Sequence, residues 1–439
     1  MNKKILLVLP FLFSLARPTL PAAALAAGST ALEKKIPALV DSIAPSLIEV
    51  RRDIHQHPEL SFQEVRTSRL VAEYFAKLGL EVKTGIAGTG VLGILCGGKP
   101  GPVVAMRADM DALPITEETN VPFASKEKGE VDGRPCGVMH ACGHDIHTAV
   151  MLGVAEVLSR LRRDLPGTVL FVAQPSEEGE SGAQRMLQEG LFRDIKPQAM
   201  FGFHVHDLIK AGSVSYVPGF ATANVDSFRL TIKSTGCHGS TPFLCVDPIT
   251  VGAQVVLALQ VMIGREIPVD NNTVITVGAF NAGAVSNVIP DKAVLQATIR
   301  TYGEDQRRAV KEKIERTIAG ICQSARATYD LDYHFGTLSL YNDPALMDRI
   351  LPIVARSLGG PQFLKQDPPE MGGEDFAFFA KEVPSVMLNL GVVPKDLDRT
   401  AVHSPTFIAD EAAIPVGVRA MASIIVDFLS DPRMKPAGK

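Results

Sequence analysis

Cys142, His144, Glu177 and Glu178 carry the side chains from which hydrolytic metal sites are built, and they stand within 37 residues of one another. The first two belong to Met139-His140-Ala141-Cys142-Gly143-His144-Asp145, and the second two to Gln174-Pro175-Ser176-Glu177-Glu178-Gly179. A thiolate and an imidazole suit a divalent cation. A hydrolytic site also needs one carboxylate left free to take a proton from the attacking water. Adjacent glutamates could divide these two jobs, and residue type alone does not say which glutamate does which.

More histidines fall at glycine-flanked turns or apparent strand ends. They include His204 in Gly202-Phe203-His204, His238 in Gly236-Cys237-His238-Gly239, and His403 in Val402-His403-Ser404-Pro405. Taken singly, each is more simply read as a hydrogen-bonded structural residue than as a ligand. The six cysteines show no CxxC pair and no regular spacing, so a disulfide scaffold is not expected in so long a chain. Most should be core residues. Cys142 is the exception, since a cation could hold it as a thiolate, and Cys136 is near enough to compete for it in a disulfide.

The elements that must position these residues follow from apolar spacing. Residues 32–50 and 62–78 have helical periodicity, and residues 91–95 and 103–106 read as strands joined in a hairpin by Cys96-Gly97-Gly98-Lys99-Pro100-Gly101. Residues 147–161 read as a helix. Residues 167–173 form an apolar strand that runs straight into Gln174-Pro175-Ser176-Glu177-Glu178, where an open α/β sheet binds ligands. Beyond Tyr216 the pattern becomes strand, helix, strand, strand, helix, strand, which closes into a four-stranded sheet with two helices on one face. The expected architecture is therefore α/β in two domains. The catalytic part spans residues 27–215 and 337–439, and a satellite domain at 216–336 is inserted between them.

Composition narrows the function by exclusion. A net charge of −4 with no basic block argues against nucleic acid as a partner. Lys3 and Lys4 precede a short apolar run and a small-residue cleavage pattern, Ala24-Leu25-Ala26, so residues 1–26 read as a secretion signal. The mature protein is then expected in the periplasm, with no membrane attachment and no later transmembrane stretch. Gly88-Thr89-Gly90-Val91-Leu92-Gly93 fits GxGxxG but leads into strands rather than a helix, so it is not a dinucleotide site. No GxSxG elbow and no HExxH are present.

Six segments in order resemble the motifs of the M20 metallopeptidase family. They are Arg107-Ala108-Asp109-Met110-Asp111-Ala112-Leu113-Pro114, residues 139–147, residues 174–179, Gly202-Phe203-His204, Met371-Gly372-Gly373-Glu374-Asp375-Phe376 and Val402-His403-Ser404-Pro405. The nearest branch is the amidohydrolases: hippurate hydrolases, aminoacylases and auxin-conjugate hydrolases. The resemblance implies a zinc-peptidase-like catalytic sheet with a ferredoxin-like satellite domain. It implies two divalent cations, with zinc expected first and manganese, cobalt or nickel as alternatives. Cys142, His144, Glu178, His204 and His403 match the ligands and Glu177 the general base, while Asp109 and Asp111 look like supports for the ligands. A plain turn would account for the two aspartates about equally well.

The same resemblance assigns His238 to a loop that reaches a neighbouring subunit's site and hydrogen-bonds the oxyanion, which implies a homodimer or higher oligomer. Cys237 and Phe243 depart from the family's pattern there. Asn287 and Arg300 resemble positions that line the substrate end, and Gly372 with Gly373 could let backbone N–H groups approach a substrate carboxylate. Turn capping would explain Asn287 equally well, surface pairing Arg300 and a strand end Gly372. The implied substrate is a small N-acyl or N-aroyl amino acid, and the 20 phenylalanines could furnish an aromatic pocket for phenylalanine amides, including ochratoxin-type conjugates. The alternatives are a dipeptidase or carboxypeptidase of the same family, or a periplasmic metal- or amino-acid-binding protein without catalysis.

Overall fold

Three strands read Val91-Leu92-Gly93-Ile94-Leu95, Val103-Val104-Ala105-Met106-Arg107-Ala108 and Val169-Leu170-Phe171-Val172-Ala173, apolar at both odd and even positions. Side chains alternate across a strand, so such sequences demand a sheet covered on both faces. The computed structural model describes residues 30–179 and 181–433, and the leader expected over residues 1–26 lies outside them. It shows an eight-stranded sheet in the order Glu81–Ile86, Gly90–Cys96, Pro166–Gln174, Lys99–Asp109, Ala199–Lys210, Ser385–Val393, Val214–Tyr216 and Leu364–Gln366. Val91, Leu95, Val104, Met106, Val169 and Phe171 face a layer containing the Ile36–Gln56, His144–Leu161, Pro344–Ser357 and Ala413–Ser430 helices. Leu92, Ile94, Val103, Ala105, Leu170 and Val172 face the other way, onto the short helices Gly182–Gln188 and Phe376–Glu382.

The expected hairpin at residues 96–101 does not form. The Pro166–Gln174 strand lies between the two strands concerned, antiparallel to Gly90–Cys96 and parallel to Lys99–Asp109. The connection instead lies across the start of that strand, where the Gly97, Gly98 and Lys99 amides donate to the carbonyls of Gly167, Arg162 and Leu165 at 2.8, 2.7 and 3.3 Å. Glycine permits this approach, because a Cβ on Gly97 would lie 2.3 Å from the Leu165 oxygen. A strand apolar on both faces gains more from the interior of the sheet than a tight hairpin would leave it.

Residues 224–337 follow the expected order. The second sheet runs Val274–Ala282, Lys292–Thr301, Asn224–Lys233, Thr328–Thr337, antiparallel throughout. Phe228, Leu230, Ile232, Leu295 and Ile299 pack under the Pro248–Glu266 and Glu304–Ser324 helices in a core of their own. Period-two alternation turns Val225 and Arg300, paired in register, to the face away from the helices.

Candidate active site

The strands Lys99–Asp109, Pro166–Gln174, Ala199–Lys210 and Ser385–Val393 are parallel, so their carboxyl ends share one edge of the sheet. Loops converging there build ligand sites in open α/β sheets. Asp109 and Gln174 end the first two strands, and His204 lies within the third. Gly143, at φ 76°, turns the chain so that a helix begins at His144. A Cβ on Gly143 would meet Val205 Cγ2 at 2.7 Å, so the helix start can come this close to the strand bearing His204 only with glycine there.

The expected ligands come together. Cys142 Sγ is 3.3 Å from His204 Nε2 and 3.2 Å from His403 Nε2, and Glu178 Oε1 is 3.0 Å from His403 Nε2. Cys142, His144 and His204 form one compact group of donor atoms, and Cys142, Glu178 and His403 form another. Two donor groups sharing one sulfur could hold two divalent cations, with Cys142 within reach of both. The imidazoles are oriented for this. His144 Nδ1 donates to the Asp111 carbonyl at 2.8 Å and His204 Nδ1 to the Val205 carbonyl at 2.7 Å, which leaves each Nε2 with a lone pair facing inward. The buried His144 Nε2 makes no hydrogen bond of ordinary length. His147 is excluded as a ligand because its Nδ1 bonds Asp109 Oδ1 at 2.5 Å and its Nε2 accepts from Val205 N at 2.9 Å. Burial, with Glu178 close by, pushes the Cys142 thiol well above its ordinary pKa, so a thiolate there requires a cation beside it. The residues present therefore fit two divalent metals.

The two glutamates differ in surroundings. Burial, reinforced by Glu374 and Asp375, pushes the Glu177 carboxyl well above its ordinary pKa. Burial would raise Glu178 too, but the His403 and His144 imidazoles together outweigh it and hold that carboxyl below its ordinary value. One glutamate is thus disposed to take a proton and the other to stay anionic. Asp111 secures both through the backbone, its Oδ1 accepting from Glu177 N and its Oδ2 from Glu178 N, each at 3.0 Å. Ser61 Oγ donates to Asp111 at 2.7 Å. Ser176, at φ 51°, takes the left-handed turn that presents the pair, and Glu64 Oε1 accepts its N–H at 2.9 Å.

Glu64 and Arg107 are site residues that sequence reasoning missed. Arg107 is fully buried, donating to Asp109 at 2.6 Å, Glu374 at 3.0 Å, Asp375 at 3.1 Å and Gln174 at 2.7 Å. A lone arginine inside an apolar strand was the available signal, because a buried charge must be paired. Asp109 and Asp111 prove to be buried hydrogen-bonding supports rather than a plain turn.

A cavity of about 570 Å³ runs from Cys142, Glu177, Glu178, His204 and His403 to Arg300 and Gly372. Gly372 O accepts from Ala223 N at 2.9 Å, so the strap holding it bridges to the second sheet. Arg300 has no carboxylate partner among the described residues, so the surface pairing that would have explained it is not made. His238 and Asn287 do not line this cavity. Both are exposed beside each other, with Gly239 N donating to Asn287 O at 2.8 Å. The cysteines depart from expectation: only Cys142 and Cys322 are buried, Cys96 is exposed, Cys136 is half-buried and unpaired, and Cys237 and Cys245 form a disulfide. Linear spacing hid that pair because the intervening loop folds back on itself.

A two-sheet α/β protein with overlapping donor groups and two adjacent glutamates of opposite disposition among them is built as a metal-dependent hydrolase. Comparison with known proteins agrees. Residues 105–427 match the model of the peptidase family M20/M25/M40. A putative amidohydrolase, YhaA, of Bacillus subtilis is 36% identical over 399 residues, 90% of this chain and 98% of that protein. An N-acetylcysteine deacetylase of the same organism is 37% identical over 384 residues, 87% and 97% of the two chains. The crystal structure of Bacillus subtilis YxeP, described as a dinuclear metal-binding peptidase of the M20 family, superposes with a TM-score of 0.75 at 33% identity, over 89% of this chain and 99% of that one. The chain belongs to the M20/M25/M40 family and is an enzyme of its hydrolase chemistry.

Proposed function

We propose that this protein is a two-metal amidohydrolase that cleaves N-acyl amino acids to a carboxylic acid and a free amino acid. The observation that carries the reading is the contrast between Glu177 and Glu178 at one end of a cavity whose other end presents the unpaired Arg300. When bound, the cations, zinc first among them, supply Lewis-acid polarisation of the amide carbonyl and acidify the attacking water. Glu177 takes the proton and returns it to the departing amine, acting as base and then as acid. Cys142, His144, Glu178, His204 and His403 hold the metals. Arg300 grips the substrate carboxylate bidentately, with Gly372 beside it.

Val205, Val217, Val225, Leu340 and Met387 line the cavity with aliphatic surface, and no phenylalanine lines it among the described residues. The expected aromatic pocket is therefore not found; these aliphatic side chains stand in a lining whose residues are mostly polar. Phenylalanine amides of the ochratoxin kind are one class for such a wall to accept.

His238 completes the site from a second copy of the chain. Ser240 N donates to His238 Nδ1 at 3.1 Å, which leaves Nε2 as the ring nitrogen free to donate to an oxyanion. Phe243 in the same loop is 79% exposed, and on the helix that follows Leu257 is 68% and Val261 62% exposed, with the Val274–Ala282 strand beneath it at the edge of its sheet. The Pro248–Glu266 and Ala413–Ser430 helices are long and apolar enough to cross a membrane by length and composition alone, a test that core helices also meet. The second is mostly buried in the core, whereas the first keeps an apolar side uncovered, and a second copy would cover it. The Cys237–Cys245 disulfide is in keeping with a secreted, periplasmic protein. Sequencing the amino terminus of the protein recovered from periplasm would test the cleavage near Ala27.

The decisive assay is amino-acid release from N-acetyl, N-benzoyl and ochratoxin-type amides and from plain dipeptides, before and after chelation and zinc or manganese repletion. Metal-restored cleavage of the acyl amino acids is expected, whereas cleavage of dipeptides alone would reassign the enzyme as a peptidase. Glu177→Gln should bind metal normally and lose about 10²–10⁴ in kcat. A variant that keeps its turnover would remove Glu177 from the chemistry.

A further inference from the structure

The Cys237–Cys245 disulfide joins the two ends of the loop that carries His238. One flank of that loop is a ladder of only two residues, Cys237 opposite Ile289 and His238 opposite Val288. The other flank leads into the Pro248–Glu266 helix, whose cap Asp247 accepts from Ile249 and Thr250 N–H. Between them little packing restrains the chain. Phe243 and Leu244 are 79% and 68% exposed, and the loop's own bonds are short-range: Thr241 N and Oγ1 to His238 O at 2.9 and 3.2 Å, Leu244 N to Thr241 O at 3.1 Å, Cys245 N to Pro242 O at 3.5 Å, and Ser240 N and Oγ against His238 Nδ1 at 3.1 and 2.8 Å, with Gly239 N to Asn287 O at 2.8 Å just past the ladder. A pairing this short is marginal in water and Ser240 moves with the loop, so the covalent link is the restraint that ties the loop carrying the imidazole to the start of the following helix.

We propose that this disulfide is a positioning element for His238, holding the Nε2 donor where the partner subunit's site requires it, so that full turnover depends on the oxidised bridge. The inference rests on the reading of His238 as a donor acting across the dimer. Forming the bridge removes two protons and two electrons from the two thiols. A disulfide-exchange oxidant accepts them and leaves as a dithiol. The bond lies outside the metal ligands, so its loss should leave metal content and assembly intact while lowering kcat.

The test compares wild type, Cys237→Ser with Cys245→Ser, His238→Ala, and all three substitutions together. Each is assayed for kcat, KM, metal content and oligomeric state, with and without a phosphine reductant. The phosphine takes oxygen from water as it converts the disulfide to two thiols. Thiol titration of the unfolded, unreduced wild type should find four free thiols of the six cysteines, and six would overturn the proposal at once. The paired cysteine variant is expected to lose about tenfold or more in kcat, against about 10²–10³ for His238→Ala. It should lose nothing further in the His238→Ala background, because a positioning effect acts only through the histidine it positions. Reductant acting on the folded wild type should reproduce the cysteine loss and leave the cysteine variant unchanged, which keeps the test valid should the variant fold poorly. A defective His238→Ala beside an unimpaired cysteine variant, or losses that simply add, would overturn the positioning role alone. A fully active His238→Ala would overturn the donor reading, and the proposal with it.

Discussion

Asp111 holds Glu177 by its backbone: Oδ1 accepts the Glu177 N–H at 3.0 Å while Oδ2 takes that of Glu178 at the same distance. One carboxylate thereby sets the spacing between the two glutamates, with His144 Nδ1 donating to the carbonyl of the same residue at 2.8 Å. Asp111→Asn keeps the shape and removes one acceptor, turning an NH2 toward a backbone N–H. A fall of about 10–100-fold in kcat or metal affinity is expected. Stopped assays beside metal analysis would measure it, and an unchanged enzyme would show that the turn holds itself.

Arg107 has the opposite task, neutralising carboxylates that would otherwise repel. It is fully buried between Asp109, Glu374 and Asp375, and the pKa of Asp375 stands at about 8, chiefly through burial. Arg107→Met would leave this acidic cluster uncompensated, and breaking a buried pair from one side costs about 3–5 kcal/mol. Urea unfolding of the metal-loaded protein should show a lower midpoint at unchanged slope. An unshifted midpoint would mean that the carboxylates are held by protons rather than by the arginine.

How far these features could be read in advance depended on whether their causes were local. Alternation in residues 224–233 and 292–301 forecasts the second sheet, because period two is a property of each strand alone. The hairpin at residues 96–101 failed because which strand sits beside which is decided by a partner some seventy residues away. Cys142, His144, Glu178, His204 and His403 were legible as a set through resemblance, not through any one residue's setting. Glu64 sits at the start of a helical stretch with nothing to mark it, and its meaning appears only when Ser176 arrives against it. The Cys237–Cys245 bridge was likewise hidden, since pairing is a distance in space.

Glu64 makes stability depend on pH in a direction unusual for a carboxylate. Burial pushes its pKa from 4.5 up to about 7, with the Thr89 hydroxyl opposing and the Asp111 charge assisting. Between about 4.5 and 7 the folded chain therefore holds a proton that the unfolded chain has released. Stability from this group is greatest below that window, declines as pH rises through it, and levels off above. A shift of this size corresponds to about 3 kcal/mol. Glu64→Gln cannot ionise and should keep acceptors for the Phe62 and Ser176 amides. Urea midpoints at pH 4.5 and pH 8 should show the variant gaining on wild type by up to about that amount, and parallel profiles would refute the shift.

Shared sites leave a signature that single-chain sites cannot. His238 is exposed and outside the cavity, whereas Glu177 lines it at the carboxyl edge of the eight-stranded sheet. If each working site takes Glu177 from one chain and His238 from the partner, then Glu177→Gln and His238→Ala are each inactive alone but complementary when mixed. Dissociated and reassembled in equal amounts, half the dimers are hybrids, and each hybrid has one site with both residues intact. The mixture should regain roughly a quarter of wild-type activity. Both parents must stay inactive when carried through the same exchange, and Leu257→Glu, placed on the apolar helix face, should abolish the recovery by keeping chains apart. No recovery despite confirmed hybrids would place His238 in its own chain's site or outside the reaction altogether.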